Sequence, residues 1–209
     1  DLLFFTNLGK VYRIRGYKVP AATKNSKGTP YINLFDFEKE EKIKSIVTFD
    51  EYVEGQHLFF ATKDGVVKRT SIEEFKLIRQ NGKKAITMRE GDELVDVKLT
   101  TGSSIICMSC DNGRMVKFHE EDVRPMGRTA SGVRGMNTAG GNVVGLSTAD
   151  EGELVFVISE HGYGKLSKLE DYRLTQRGSK GVTTLNMTEK TGKIITTKSV
   201  NGDEDIMVI

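Results

Sequence analysis

The sequence predicts an all-β protein built from four repeats of about 50 residues, each supplying four short strands. Three observations carry this. Four glycines, Gly9, Gly65, Gly113 and Gly162, recur at steps of 56, 48 and 49 residues. Each follows an apolar, β-prone run: LLFF, LFFA, ICMS and VFVI. The loops between the runs are too rich in Pro, Gly, Thr and Arg for long helices.

The elements follow in order. The apolar run is the first strand of each repeat. The turns TNLG, TKDG, CDNG and SEHG end in glycine, which takes the positive φ that a tight hairpin or bulge needs. A second strand follows in VYRI from Val11, VKRT from Val67, MVKF from Met115 and GKLS from Gly164. A loop then leads to a second small residue, read as Gly28, Ala85, Gly132 and Gly181, where a third strand begins in PYINLF, AITM, GVRGM and GVTTLNM. After an acidic or glycine-rich turn comes a fourth, in IKSIV from Ile43, LVDVKL from Leu94, VVGL from Val143 and IITT from Ile194. SIEEF from Ser71 and HEEDV from His119 suit short helical turns.

A lone four-stranded sheet cannot bury both faces, whereas blades stacked around an axis can, so the arithmetic is that of a propeller. Residues 1–209 form one domain, with approximate repeats 1–50, 51–100, 101–150 and 151–200. Residues 201–209, ending Asp205-Ile206-Met207-Val208-Ile209, align with the first strand of a further repeat.

The 209 residues suffice for a substantial core, and 37% hydrophobic with 29% charged residues is ordinary for a globular protein. No apolar run is long enough to span a membrane as a helix, and no secretory leader is evident. The two cysteines, Cys107 and Cys110, lack a second ligand pair for zinc and a thioredoxin-like context. They read as small strand side chains in a reducing, cytoplasmic setting. His57, His119 and His161 are scattered, and no phosphate-binding loop pattern occurs.

The net charge of +2 conceals a segregation. The segments 9–28, 65–85, 113–132 and 162–181 hold 21 Lys/Arg against 7 Asp/Glu, leaving 10 against 22 elsewhere. In stacked blades equivalent segments point the same way, so the positive charge is expected on one rim. Such a belt suits a phosphate backbone, because each neutralised phosphate releases counterions without any reading of sequence. A curved belt can also bend a duplex. Few aromatics and no Trp argue against stacking of single-stranded bases.

The stretches FATKDGVVKRT, REGDELVDVKLT, MGRTASGVRGM and EHGYGKLSKLEDYRLTQRGSKGV, in that order and spacing, resemble the C-terminal domain of DNA gyrase A along essentially the whole chain. The resemblance implies a β-pinwheel, a propeller-like array whose blades exchange strands with their neighbours. It implies a monomeric module without catalytic residues, nucleotide site or metal, which wraps double-stranded DNA around its rim. Its partners would be the N-terminal cleavage core of the same polypeptide and the separate ATPase subunit, with ATP and magnesium serving the holoenzyme in negative supercoiling. The family's GyrA box, Q-(R/K)-R-G-G-(K/R)-G, belongs to a first blade expected before Asp1. The nearest match here, Gln176-Arg177-Gly178-Ser179-Lys180-Gly181, is a shortened copy in the fourth repeat. The tyrosines Tyr12, Tyr17, Tyr31, Tyr52, Tyr163 and Tyr172 lie in or beside strands and read as core or rim residues.

The expected phosphate contacts are basic residues at repeating offsets. On the second strands these are Arg13, Arg15, Lys68, Arg69, Lys117 and Lys165. In the loops they are Lys24, Lys27, Arg79, Lys83, Lys84, Arg128, Arg177 and Lys180. Lys76, Arg124 and Arg173 each follow an apolar anchor, Phe75, Val123 and Tyr172. Lysine would serve as a point charge and arginine as a fork, although Arg128 and Arg134 could instead brace their loop through its carbonyls. The alternatives are the related C-terminal domain in the corresponding subunit of topoisomerase IV, or a propeller whose basic loops dock an acidic protein. A propeller enzyme would need carboxylates or histidines converging on one face, and these are dispersed.

Overall fold

The structure is a computed structural model that describes residues 1–79 and 81–207. Its strands are β1 (Leu2–Thr6), β2 (Lys10–Ile14), β3 (Ile43–Thr48), β4 (His57–Thr62), β5 (Val66–Ser71), β6 (Lys83–Lys84), β7 (Leu94–Thr100) and β8 (Ile105–Cys110). They continue with β9 (Arg114–His119), β10 (Val133–Arg134), β11 (Val143–Thr148), β12 (Leu154–Ser159), β13 (Gly164–Lys168), β14 (Val182–Thr183) and β15 (Ile194–Val200). The expected helical turns are 3₁₀ turns at Ile72–Phe75 and Glu120–Asp122, with a further one at Leu169–Asp171.

The strands make four antiparallel sheets, ordered β3-β1-β2-β6, β10-β5-β4-β7, β11-β8-β9-β14 and β13-β12-β15. Each of the first three takes its outermost strand from the next repeat. Thus β6 pairs with β2 (Val11↔Lys83), β10 with β5 (Val67↔Val133) and β14 with β9 (Met115↔Val182). This is the strand exchange of a pinwheel. The fourth sheet has three strands, and β13 is an exposed edge.

Alternation along each strand dictates the stacking. On β1, Leu3 and Phe5 point at Leu58, Phe60 and Phe75 of the second repeat. On β4, Phe59 and Ala61 point the other way, to Ile106, Met108 and Phe118 of the third. Cys107 and Met115 meet Val155, Val157 and Tyr172 of the fourth. Each internal sheet is therefore buried on both faces, which explains the nearly continuous apolar runs.

The innermost strands β3, β7, β11 and β15 pack in turn around an axial cavity of about 500 Å³. From this axis outward each of the first three blades runs fourth strand, first strand, second strand and then the donated strand, so the donated strands lie on the rim.

Three sequence expectations are revised. The third strands are only two residues long, and the second repeat's opens after Gly82 rather than at Ala85. Gly82, Gly132 and Gly181 all have positive φ, of 71°, 85° and 72°, and each directly precedes its donated strand. A Cβ at Gly132 would lie 2.5 Å from the Val67 carbonyl oxygen, so glycine is what lets the incoming strand reach its neighbour.

PYINLF in the first repeat is not a strand. Tyr31–Asn33 form a 3₁₀ turn, which Pro30 precedes without an N–H to donate to a strand ladder. The segment folds back instead, and Phe35 with Leu34 and Phe37 covers Phe4, Tyr12 and Ile14 on the free face of the first blade. At the other end, residues 201–207 form no strand, and Val208 and Ile209 lie outside the described residues.

Candidate nucleic-acid interface

The rim is built from the donated strands and the loops that lead to them. Lys83 and Lys84 are β6 itself, and Arg134 is the outer residue of β10. Lys180 precedes β14. The apolar anchors behave as expected: Phe75 and Val123 are fully buried and Tyr172 nearly so. They pin the start of each loop to the core, which leaves the following Lys76, Arg124 and Arg173 exposed. Arg15, Lys24, Lys27, Arg79, Lys84, Lys165 and Lys180 are also exposed, while Arg13, Lys83, Arg128 and Arg177 are half-buried. Among the described residues, Lys76 pairs with Glu73 at 2.7 Å and Arg13 with Asp1 at 2.9 Å, whereas the remaining cations just named make no ion pair. Arg173, Gln176 and Lys180 line a shallow recess beside the fourth-repeat loop.

Charge near the axis is different in kind. Lys98 bridges Glu151 at 3.1 Å and Asp96 at 3.8 Å, and Lys44 reaches Glu93 at 3.7 Å. Of the three lysines that line the axial cavity, Lys44 and Lys98 are thus paired with acids, while Lys198 makes no ion pair among the described residues.

Three expected phosphate contacts are corrected because they lie inside the protein. Lys68 is fully buried between repeats. Its ammonium donates to the carbonyls of Ala85, of Arg128 at 2.6 Å and of Gly127 at 3.3 Å, and it lies 4.8 Å from the Phe60 ring centroid. Burial lowers its pKa to about 7, against the pull of Glu74. Arg69 donates to the Gly102 carbonyl at 3.2 Å and lies 3.8 Å from the fully buried Glu120. Lys117 donates to the Leu169 carbonyl of the next repeat at 2.8 Å. These cations satisfy backbone carbonyls where blades meet, and their ammonium and guanidinium groups are committed to the protein interior.

Arg13, Arg128 and Arg177 also engage carbonyls, those of Lys76 (2.5 Å), Lys84 (2.7 Å) and Arg134 (2.7 Å). Against the expectation that Arg128 braces its own loop through that loop's carbonyls, its side chain reaches the Lys84 carbonyl of the previous repeat. The Arg134 carbonyl accepts from Arg177, and the Arg134 side chain is an exposed rim cation that the repeating offsets do not single out. Its signal in the sequence is a different one: Arg134 follows Gly132 by two residues, as Lys84 follows Gly82.

The cysteines are free and buried, with burial pushing Cys107 up to about 12 and Cys110 up to about 11, far from thiolate reactivity at neutral pH. Among the described residues no three His, Cys, Asp or Glu side chains are grouped to hold a metal ion, and no helix is long and apolar enough to cross a membrane.

Comparison with known proteins matches this architecture to one family. The profile of the DNA gyrase C-terminal domain, beta-propeller, aligns with residues 1–50, 56–101, 111–150 and 153–201. The chain belongs to the DNA gyrase C-terminal domain family. The DNA gyrase A protein of Ureaplasma parvum serovar 3 is 45% identical over 210 residues, covering all of this chain and 25% of that protein. Its counterpart in Staphylococcus epidermidis is 44% identical over 212 residues, again covering the whole chain and 24% of its relative. The chain therefore spans about a quarter of the length of these relatives.

Among solved structures, the C-terminal domain of DNA topoisomerase IV superposes with a TM-score of 0.83 at 26% identity, over 92% of this chain and 61% of that one. The DNA gyrase A C-terminal domain also gives 0.83, at 24% identity, over 97% and 66%. The second likeness bears on the fold. As a gyrase C-terminal domain, the chain places many of its free cations on the exchanged strands and the loops that lead to them, and keeps its buried ones at the joins.

Proposed function

We propose that this gyrase C-terminal domain is a non-catalytic module that binds duplex DNA along its rim and bends it for a type II topoisomerase, supporting ATP-dependent negative supercoiling. The observation that carries the reading is topological. The donated strands and their loops are the outermost parts of successive blades, and they bear exposed cations without acidic partners, among them Lys84, Arg124, Arg173 and Lys180. Arranged along an arc, such cations match a continuous phosphate backbone and no particular base sequence. Curvature follows because a stiff duplex must bend to reach the next blade, and the extra contacts offset the deformation.

In this reading the cleavage core of the same polypeptide receives the bent segment, and the ATPase subunit supplies ATP and magnesium chemistry. Identity of 44–45% to DNA gyrase A proteins over the whole chain favours gyrase over topoisomerase IV as the parent enzyme.

The test is binding to duplex of unrelated sequences as a function of salt, followed by ligation of a nicked circle with the chain bound. Six to ten phosphate contacts predict a loss of roughly 10³–10⁵ in affinity between about 50 and 200 mM salt. Ligated circles should carry a shifted linking number. Affinity flat against salt would refute DNA binding by this rim. A steep salt dependence with no linking-number shift would refute wrapping.

A further inference from the structure

The loops that carry the rim charge also lie on the strands exchanged one blade earlier. The loop 127–131 of the third repeat covers β6 and the residues after it. Arg128 Nη1 donates to the Lys84 carbonyl at 2.7 Å, Thr87 N donates to the Ala130 carbonyl at 3.3 Å, and Thr87 Oγ1 donates to the Thr129 carbonyl at 2.6 Å. One repeat later the loop 176–180 covers β10 in the same way. Arg177 Nη1 donates to the Arg134 carbonyl at 2.7 Å and its Nε to the Asp122 carbonyl at 3.0 Å. Gly178 N donates to the Gly135 carbonyl at 2.6 Å, and Asn137 N to the Ser179 carbonyl at 2.9 Å.

Two of the three exchanged strands, β6 and β10, are therefore held twice. On its inner side each pairs with the blade that receives it, and on its outer side an arginine of the following repeat clamps its carbonyl. Each clamp links three consecutive repeats; Arg177 does so with two donors of one planar fork, a geometry that lysine cannot reproduce, and Arg128 with its Nη1 alone.

We infer that Arg128 and Arg177 are positioning residues that latch the blade exchange and so fix the spacing of neighbouring rim cations, setting how far bound DNA is bent. This rests on the DNA-bending reading above. Their guanidinium groups act on the protein backbone, and the phosphate contacts fall to exposed neighbours such as Lys84 and Lys180. A loosened latch leaves those cations present but no longer held in one arc, so the duplex meets less curvature at the same charge.

The experiment compares the chain carrying R128K and R177K together, the chain carrying R128A and R177A together, and the chain carrying K84A and K180A together. Three readouts are taken: the slope of log affinity against log salt, the linking number of circles ligated with the chain bound, and amide hydrogen exchange at Thr87 and Asn137.

The latch predicts that both arginine pairs exchange about tenfold or more faster at those two amides. It also predicts that both lose linking-number shift while the salt slope stays at its parent value. The lysine pair should do the reverse, with the slope falling by about 0.9 per residue and the amide protection unchanged. Rescue of the linking-number shift by R128K and R177K, or a slope that drops by about two with R128A and R177A, would show phosphate contacts and overturn the latch. If the parent chain shows no salt-dependent binding, the DNA-bending reading fails by itself. The exchange rates at Thr87 and Asn137 then still decide whether the arginines hold the blades together.

Discussion

Replacing Gly65 by alanine should destabilise the chain far more than the same change at Gly162, although both glycines end the same hairpin turn in different repeats. Their backbones are alike, with φ of +82° and +78°. Alanine in this left-handed region costs about 1–2 kcal/mol at either site. The gain of about 0.4–1 kcal/mol from stiffening the unfolded chain is also shared. What differs is the strand exchange. A Cβ at Gly65 would stand 2.7 Å from the Met136 carbonyl oxygen, whereas a Cβ at Gly162 meets nothing within 4 Å. The Gly65 carbonyl accepts hydrogen bonds from Gly135 N at 2.8 Å and Met136 N at 3.1 Å, and both belong to the segment that donates β10. The same pair of bonds ties Ala85 and Ile86 to Gly9, and Thr184 and Leu185 to Gly113.

Pushing the donated segment away weakens two bonds of about 0.5–1.5 kcal/mol each. Gly65→Ala should therefore cost about 1–3 kcal/mol more than Gly162→Ala. Equilibrium urea unfolding measures this. With a slope of about 1–3 kcal/mol per molar, the two midpoints should separate by roughly 1 M. Equal midpoints would refute the argument that the hairpin glycines serve the exchange as well as the turn.

Two further outcomes follow from the buried and exposed cations. Lys68 loses its proton near pH 7 when folded but near its ordinary value when unfolded, so between these the unfolded chain binds the extra proton and stability rises with pH. The stability difference between the parent and Lys68→Met should grow by up to about 1.4 kcal/mol per pH unit from pH 7 to 9; a difference constant over this range means that the three carbonyls keep the ammonium charged. Arg124→Ala and Arg173→Ala should each lower the salt slope of DNA binding by about 0.9 with little change in melting temperature. Lys117→Met should leave the slope intact but cost about 1–3 kcal/mol by stranding the Leu169 carbonyl, and the reverse pattern would place Lys117 on the DNA.

Much of the fold was legible because two signals coincide in each repeat. An apolar run long enough for a strand ends at a glycine that permits a hairpin, and the pattern returns at a nearly constant interval. The first, second and fourth strands need nothing more. The third strand is two residues long, too short for any periodicity, and its partner sits in another repeat, which a one-dimensional pattern does not encode. The family resemblance implied the exchange, but the residues alone did not locate it. Smallness suggested Ala85, whereas the structure needs a residue with positive φ, and Gly82 supplies it because that loop is shorter than its counterparts.

The candidate interface was legible as charge by segment and misread as charge by face. Lys68 and Arg69 are adjacent on β5, so their side chains leave opposite sides of the sheet, and at least one must point into the stack. Counting both as rim residues ignored that alternation. Their burial was hard to foresee because a buried cation suggests an acidic partner, and here carbonyls of neighbouring repeats satisfy most of the need.

The division between buried and exposed cations explains why one segment of each repeat carries so much positive charge. In the second to fourth repeats that segment leaves its own blade, crosses to the previous one and returns, which brings backbone carbonyls to the joins between blades. Lys68, Lys117, Arg128 and Arg177 answer those carbonyls. Lys84, Arg124, Arg173 and Lys180 answer to solvent on the outside of the same path. Strand exchange thus calls for cations at the joins, and it carries the remaining cations to the largest radius of the fold, where a duplex can reach them. A net charge of +2 is compatible with a basic rim because the acids occupy the parts of each repeat that do not make this crossing.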